Sequence, residues 1–186
     1  MKYKMFAVAA LMSVASFAGA QSVTVGYSQR VLDAGGQEHQ NSVSVRNKIS
    51  GALTGDIGVT VVQKDGTNAI TNRYELGVTY NQPIVSGLSG DLRLAHGWKA
   101  KSGSEVTQYY VIEPSVTTKL SQLPLSVKVG YRIREAYDNT VADNSKTTRL
   151  ALGYDLTTKD KISLGRDWQR GDGALTQTTL QYSRAF

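Results

Sequence analysis

The sequence predicts an all-β fold: a transmembrane, antiparallel, up-and-down β-barrel of ten strands, with eight and twelve as the alternatives. Three observations carry that reading. Apolar and polar residues alternate at period two through ten segments, and no helical period of any length competes. An export signal precedes them. The chain then closes on ALTQTTLQYSRAF, Ala174 to Phe186, where Thr178, Leu180, Tyr182, Arg184 and Phe186 share one face of an extended strand.

The start of the chain is a targeting segment. Lys2 and Lys4 form a positive region, Met5 to Phe17 an apolar stretch, and Ala18-Gly19-Ala20 a small-residue cleavage site before Gln21. The apolar stretch is short for a spanning helix, and no later segment approaches about 18 unbroken apolar residues. Residues 1–20 are therefore expected to be removed, leaving 21–186 as one barrel domain that crosses the membrane by strands. The chain has no cysteine, which rules out a disulfide framework and thiolate metal sites. Export rules out nucleic acid as a partner.

Ser22 to Leu32 opens the series, with Val23, Val25, Tyr27 and Val31 on one face and Thr24, Gly26, Ser28 and Arg30 on the other. A polar loop, DAGGQEHQ (Asp33 to Gln40), leads to Asn41 to Ser50, where Val43, Val45 and Ile49 oppose Arg46 and Lys48. Thr54-Gly55-Asp56 reads as a turn into Ile57, Val59 and Val61. After Asp65-Gly66 come Ile70, Tyr74, Leu76, Val78 and Tyr80 against Arg73, Glu75 and Gly77. Pro83, Gly87 and Gly90 mark Asn81 to Gly90 as a longer turn.

Leu92, Leu94, His96 and Trp98 then alternate with Arg93, Gly97 and Lys99. Beyond Lys101 to Glu105, Val106, Tyr110, Ile112 and Val116 oppose Tyr109 and Glu113. Ser121 to Pro124 turns into Leu125, Val127, Val129, Tyr131 and Ile133 against Lys128, Arg132 and Arg134. Tyr137 to Ser145 is polar, and Leu150, Leu152 and Tyr154 next oppose Arg149 and Gly153. Ile162, Leu164 and Trp168 form the ninth segment, before Gly171 to Gly173 leads into the last.

The two faces differ in kind. Of the aromatic residues after position 20, only Tyr109 has the polar parity. The others share the apolar face, and Tyr27, Trp98, Tyr131, Tyr154, Trp168 and Phe186 are the candidate membrane girdle, rings in hydrocarbon and polar tips at headgroups. Gly26, Gly58, Gly77, Gly97, Gly130, Gly153 and Gly165 all have the polar parity, as a crowded, strongly curved interior requires. Both termini of an even barrel lie on the periplasmic side, so the connections after odd strands face outward from the cell.

The terminal Phe186, with Tyr182 and Leu180 behind it at period two, resembles the closing strand of bacterial outer-membrane barrels. That resemblance implies the outer membrane of a Gram-negative bacterium as location. Its lipids and lipopolysaccharide would be neighbours, and the outer-membrane assembly machinery a partner through the C-terminal strand.

No catalytic or metal constellation stands out. Only His39 and His96 are available as bases; His39 lies three residues from Ser42, and His96 has lipid-facing parity. Neither sits in a hydrolase motif, and carboxylates are not clustered as metal ligands would be. No enzyme, cofactor or metal is expected. What stands out is the inward parity of Arg30, Arg46, Arg73, Arg93, Arg132, Arg134 and Arg149, with few acids among them, chiefly Glu75, Glu113 and Asp167. Symmetric hairpins would place Arg93 opposite Glu113, Arg30 near Arg46, and Arg134 near Arg149. The arrangement resembles the small monomeric porins specific for acidic oligosaccharides, the oligogalacturonate type. Tyr131-Arg132-Ile133-Arg134-Glu135 is similar to their arginine-rich strands. The resemblance implies a narrow porin passing small anionic solutes through a basic lumen. The alternative is a non-conducting structural or adhesive barrel whose interior the same side chains fill.

Overall fold

The structure is a computed structural model that describes residues 21–101, 103–120, 122–138, 140 and 143–186 of the chain. The expected export segment, 1–20, lies outside the described residues. Ten antiparallel strands follow one another: β1 (Ser22–Leu32), β2 (Gln37–Ser50), β3 (Leu53–Lys64), β4 (Ile70–Val85), β5 (Leu88–Lys101), β6 (Thr107–Lys119), β7 (Leu125–Ala136), β8 (Ser145–Asp155), β9 (Asp160–Gly171) and β10 (Leu175–Ala185). Each pairs with its sequence neighbours, and β1 pairs with β10, so the sheet closes into a barrel without edges. The register at the seam runs from Ser22 opposite Ala185 to Leu32 opposite Leu175. Beyond the last strand, the Phe186 amide donates to the Gln21 carbonyl at 3.0 Å, extending the closure by one bond.

Three connections differ from the sequence expectation. Thr54, Gly55 and Asp56 are strand residues opposite Lys48, Asn47 and Arg46; the chain turns earlier, at residues 51–52. Asn81 to Gly90 is no long turn, because β4 and β5 stay paired down to Val85 and Leu88. The two residues between them turn at Gly87, whose φ of 78° suits a residue without a side chain. Only 33–36 of the expected loop DAGGQEHQ lie outside strands, since Gln37 to Gln40 pair with β1. Pro and Gly thus mark positions that a barrel strand tolerates, not ends of pairing. With that correction, every connection at the terminus-bearing end is short.

The wall is inverted relative to a soluble protein. Leu76 (53% exposed), Leu94 (52%) and Leu164 (53%) point out, as they must to meet hydrocarbon. Asp56, Arg134, Ser145, Asp167 and Gln177 are buried inside. Tyr27, Tyr131, Tyr154, Trp168 and Phe186 are exposed outward, and Trp98 lies edge-on to His96 at 4.3 Å. Trp98 and Trp168 sit toward the loop ends of their strands, Tyr154 and Phe186 toward the turn end, and Tyr27 and Tyr131 mid-strand.

Candidate functional site: the lumen

Each of the seven consecutive strands β3 to β9 contributes one charged side chain to an alternating chain across the lumen. In sequence order they are Asp56, Glu75, Arg93, Glu113, Arg132, Arg149 and Asp167. The Arg93 guanidinium bridges Asp56 (Nη2 to Oδ2, 2.5 Å) and Glu75 (Nη1 to Oε2, 3.0 Å). Arg132 bridges Glu75 and Glu113, the latter at 3.0 Å. Arg149 bridges Glu113 (2.6 Å) and Asp167 (3.1 Å). Planar guanidinium forks suit this role, because each can donate to two carboxylates at once.

The glycines make room for the belt. A Cβ on Gly77 would stand 2.8 Å from Arg93 Nη2 and 3.0 Å from Asp56 Oδ1. Tyr109, the one aromatic of inward parity, is fully buried and donates its hydroxyl to Glu75 at 3.2 Å.

Toward the loop end the arginines have fewer acids. Arg30 pairs with Glu38 (2.6 Å), directly opposite on β2. Arg134 and Lys99 share one oxygen of Asp143 (3.0 and 2.8 Å), and Arg134 lies 5.5 Å from the centroid of the Tyr109 ring. Arg73 makes no ion pair among the described residues, and its buried Nε has no hydrogen-bond partner. The buried Nε of Arg30 has none either.

Three cavities follow one another along the interior. An outer vestibule of about 340 Å³ is lined in part by Arg30, Arg73, Lys99 and Arg134. A waist of about 120 Å³ shares Arg30, Arg73 and Arg134 with it, and shares Glu75, Arg132 and Arg149 with an inner cavity of about 310 Å³.

All seven arginines singled out from sequence line these cavities, but their expected neighbours change. Arg30 is not near Arg46: it faces Glu38, while Arg46 faces Ser22 at the other end of the hairpin. Arg134 faces Ser145 and Arg149 faces Gly130, so these two do not oppose each other. Arg93 does stand opposite Glu113, yet its side chain goes to Asp56 and Glu75. His39 lies in β2 with its Nδ1 hydrogen-bonded to the Tyr27 hydroxyl (2.7 Å) on the outer face, whereas Ser42 faces in; they form no dyad. Asp56, Glu38 and Asp143 were missed, because each was read as part of a turn or loop. The parity of Asp56 with Gly58 and Thr60 carried the signal.

A closed ten-strand barrel with apolar wall and charged interior defines an outer-membrane β-barrel of porin-like architecture. Solved structures bear this out. The chain is similar to the NanC porin (12% identity, TM-score 0.60), spanning 88% of this chain and 100% of that one. It is similar to the COG4313 outer membrane channel from Pseudomonas putida F1 (14%, 0.56; 90% and 95%). It is also similar to the KdgM porin in complex with disordered oligogalacturonate (10%, 0.52; 89% and 99%). These neighbours are porins and an outer membrane channel, and what the chain shares with them is the fold. No family model and no curated protein matches the sequence.

Proposed function

We propose that this barrel is a narrow outer-membrane porin for small anionic solutes, which enter through the vestibule at the loop end. The observation that carries this is Arg73, an inward guanidinium with an unpartnered Nε and no ion pair among the described residues. Around it the vestibule lining holds Arg30, Lys64, Lys99, Lys101 and Arg134, against the acids Glu38, Asp143 and Asp172. Low-dielectric walls focus that excess, so it raises the local concentration of anions. The belt below is nearly balanced, which makes the vestibule the selective segment and the waist the resistance.

The same belt favours a second reading, a non-conducting structural or adhesive barrel. Six guanidinium–carboxylate contacts hold side chains across the lumen, all of them lining the inner cavity and four of the seven residues also lining the waist above it. Planar bilayers separate the two. Purified wild type in a potassium chloride gradient is expected to conduct with an anion-selective reversal potential that shrinks as salt rises. Arg73→Gln is expected to conduct with weaker anion preference. Folded protein that passes no current would establish the structural barrel, and a cation-selective current would overturn the porin reading as stated.

A further inference from the structure

Among the described strand residues, four lysine or arginine side chains have outward parity: Lys146, Arg166, Arg170 and Arg184. Arg184, at the terminus-bearing end, is met by Asp160 at 3.6 Å. The other three crowd onto β8 and β9 above mid-strand. Lys146 and Arg170 stand directly opposite each other, and both are exposed. Like charges in that relation are destabilising. A cation on a lipid-facing wall is costly at the bilayer midplane and tolerated only near the interface.

Neither Lys146 nor Arg170 has an ion-pair partner among the described residues. Arg166 donates to the Thr178 hydroxyl at 2.5 Å. The nearest outward acid in register is Glu135 on β7, which accepts the Tyr110 hydroxyl. It shares a cleft of about 270 Å³ with Lys146 and Arg170. One carboxylate in that cleft thus faces the two opposed cations. Trp168 lies between Arg166 and Arg170 on the same face, 44% exposed.

Two opposed cations above a tryptophan, on the outer wall at the loop end, need an anion that the outer leaflet itself supplies. We propose that Lys146 and Arg170, with Arg166 beneath, bind a phosphate group of lipid A, the membrane anchor of lipopolysaccharide. The guanidinium and ammonium groups take the phosphate oxygens, and Trp168 packs on the neighbouring acyl chain. The site is on the lipid face, so it does not depend on whether the lumen conducts.

Native mass spectrometry of the detergent-solubilised barrel with diphosphoryl lipid A tests this. Wild type is expected to retain lipid A, and the double variant Lys146→Gln/Arg170→Gln to retain about tenfold less, as loss of charge-assisted bonds implies. Arg184→Gln is expected to behave as wild type. On unaltered protein, dephosphorylated lipid A and phosphatidylglycerol are expected to compete poorly, an arm that stands even if the double variant fails to fold. Equal retention by the double variant would overturn the proposal. So would equal competition by dephosphorylated lipid A, which would show acyl contacts alone, or by phosphatidylglycerol, which would show a general anionic preference.

Discussion

Tyr109 on β6 stands directly across from Gly97 on β5, and its ring fills the space above the glycine inside the barrel. A Cβ on residue 97 would overlap the ring carbons Cε2 and Cζ, so this pairing needs glycine. The ring is held there from two other sides, by Glu75 at the hydroxyl and by the Arg134 guanidinium. Gly97→Val is therefore expected to cost about 1–3 kcal/mol through overpacking. Tyr109→Phe, which keeps the ring and loses one hydrogen bond, is expected to cost about 1 kcal/mol. Urea titration of the heat-modifiable band on SDS gels measures both, and Tyr109→Phe proving the worse of the two would contradict this packing.

Arg132 is the middle link of the ion-pair belt. Arg132→Gln leaves Glu75 with Arg93 and Glu113 with Arg149, so a loss of about 2 kcal/mol is expected. Removing Arg132, Arg134 and Arg149 together is expected to destabilise far more, because five contacts to Glu75, Glu113, Asp143 and Asp167 go at once. A triple Gln variant as stable as wild type would show that the belt does not stabilise the barrel.

Asp143 ties Lys99 and Arg134 together at the vestibule. Asp143→Asn removes one negative charge and frees two cations, so anion selectivity in a salt gradient is expected to rise. A fall in selectivity would mean that the vestibule does not face the conducting path.

Phe186 completes the seam by donating a backbone hydrogen bond from its N–H to the Gln21 carbonyl. Deleting Phe186 is expected to lower outer-membrane yield more than deleting Thr67, which lies in the connection between β3 and β4. Equal yields would remove the closing role of the C-terminus.

Barrel residues reveal their side of the wall in sequence because side chains alternate strictly along a strand. That is why Arg30, Arg73 and Arg149 could be placed inside, and Leu94 and Trp168 outside, from period alone. The acids were less legible. Asp56 beside a Thr-Gly pair looks like turn chemistry, and only the β3 register shows it as a strand residue in the lumen.

Period two and the closing aromatic strand determined the fold class and the face of the residues read as strand, because these are local properties of an extended chain; the closed structure decided ten strands over eight or twelve. Which charge meets which was decided by tertiary structure. A long arginine reaches past its direct cross-strand neighbour: Arg132 crosses from β7 to Glu75 on β4, and Arg93 from β5 to Asp56 on β3. Barrel curvature brings those strands within reach across the lumen. The consequence is that five of the seven arginines find carboxylates and Arg46 lies away from Arg30, leaving Arg73 as the inward guanidinium of the vestibule without an ion pair among the described residues.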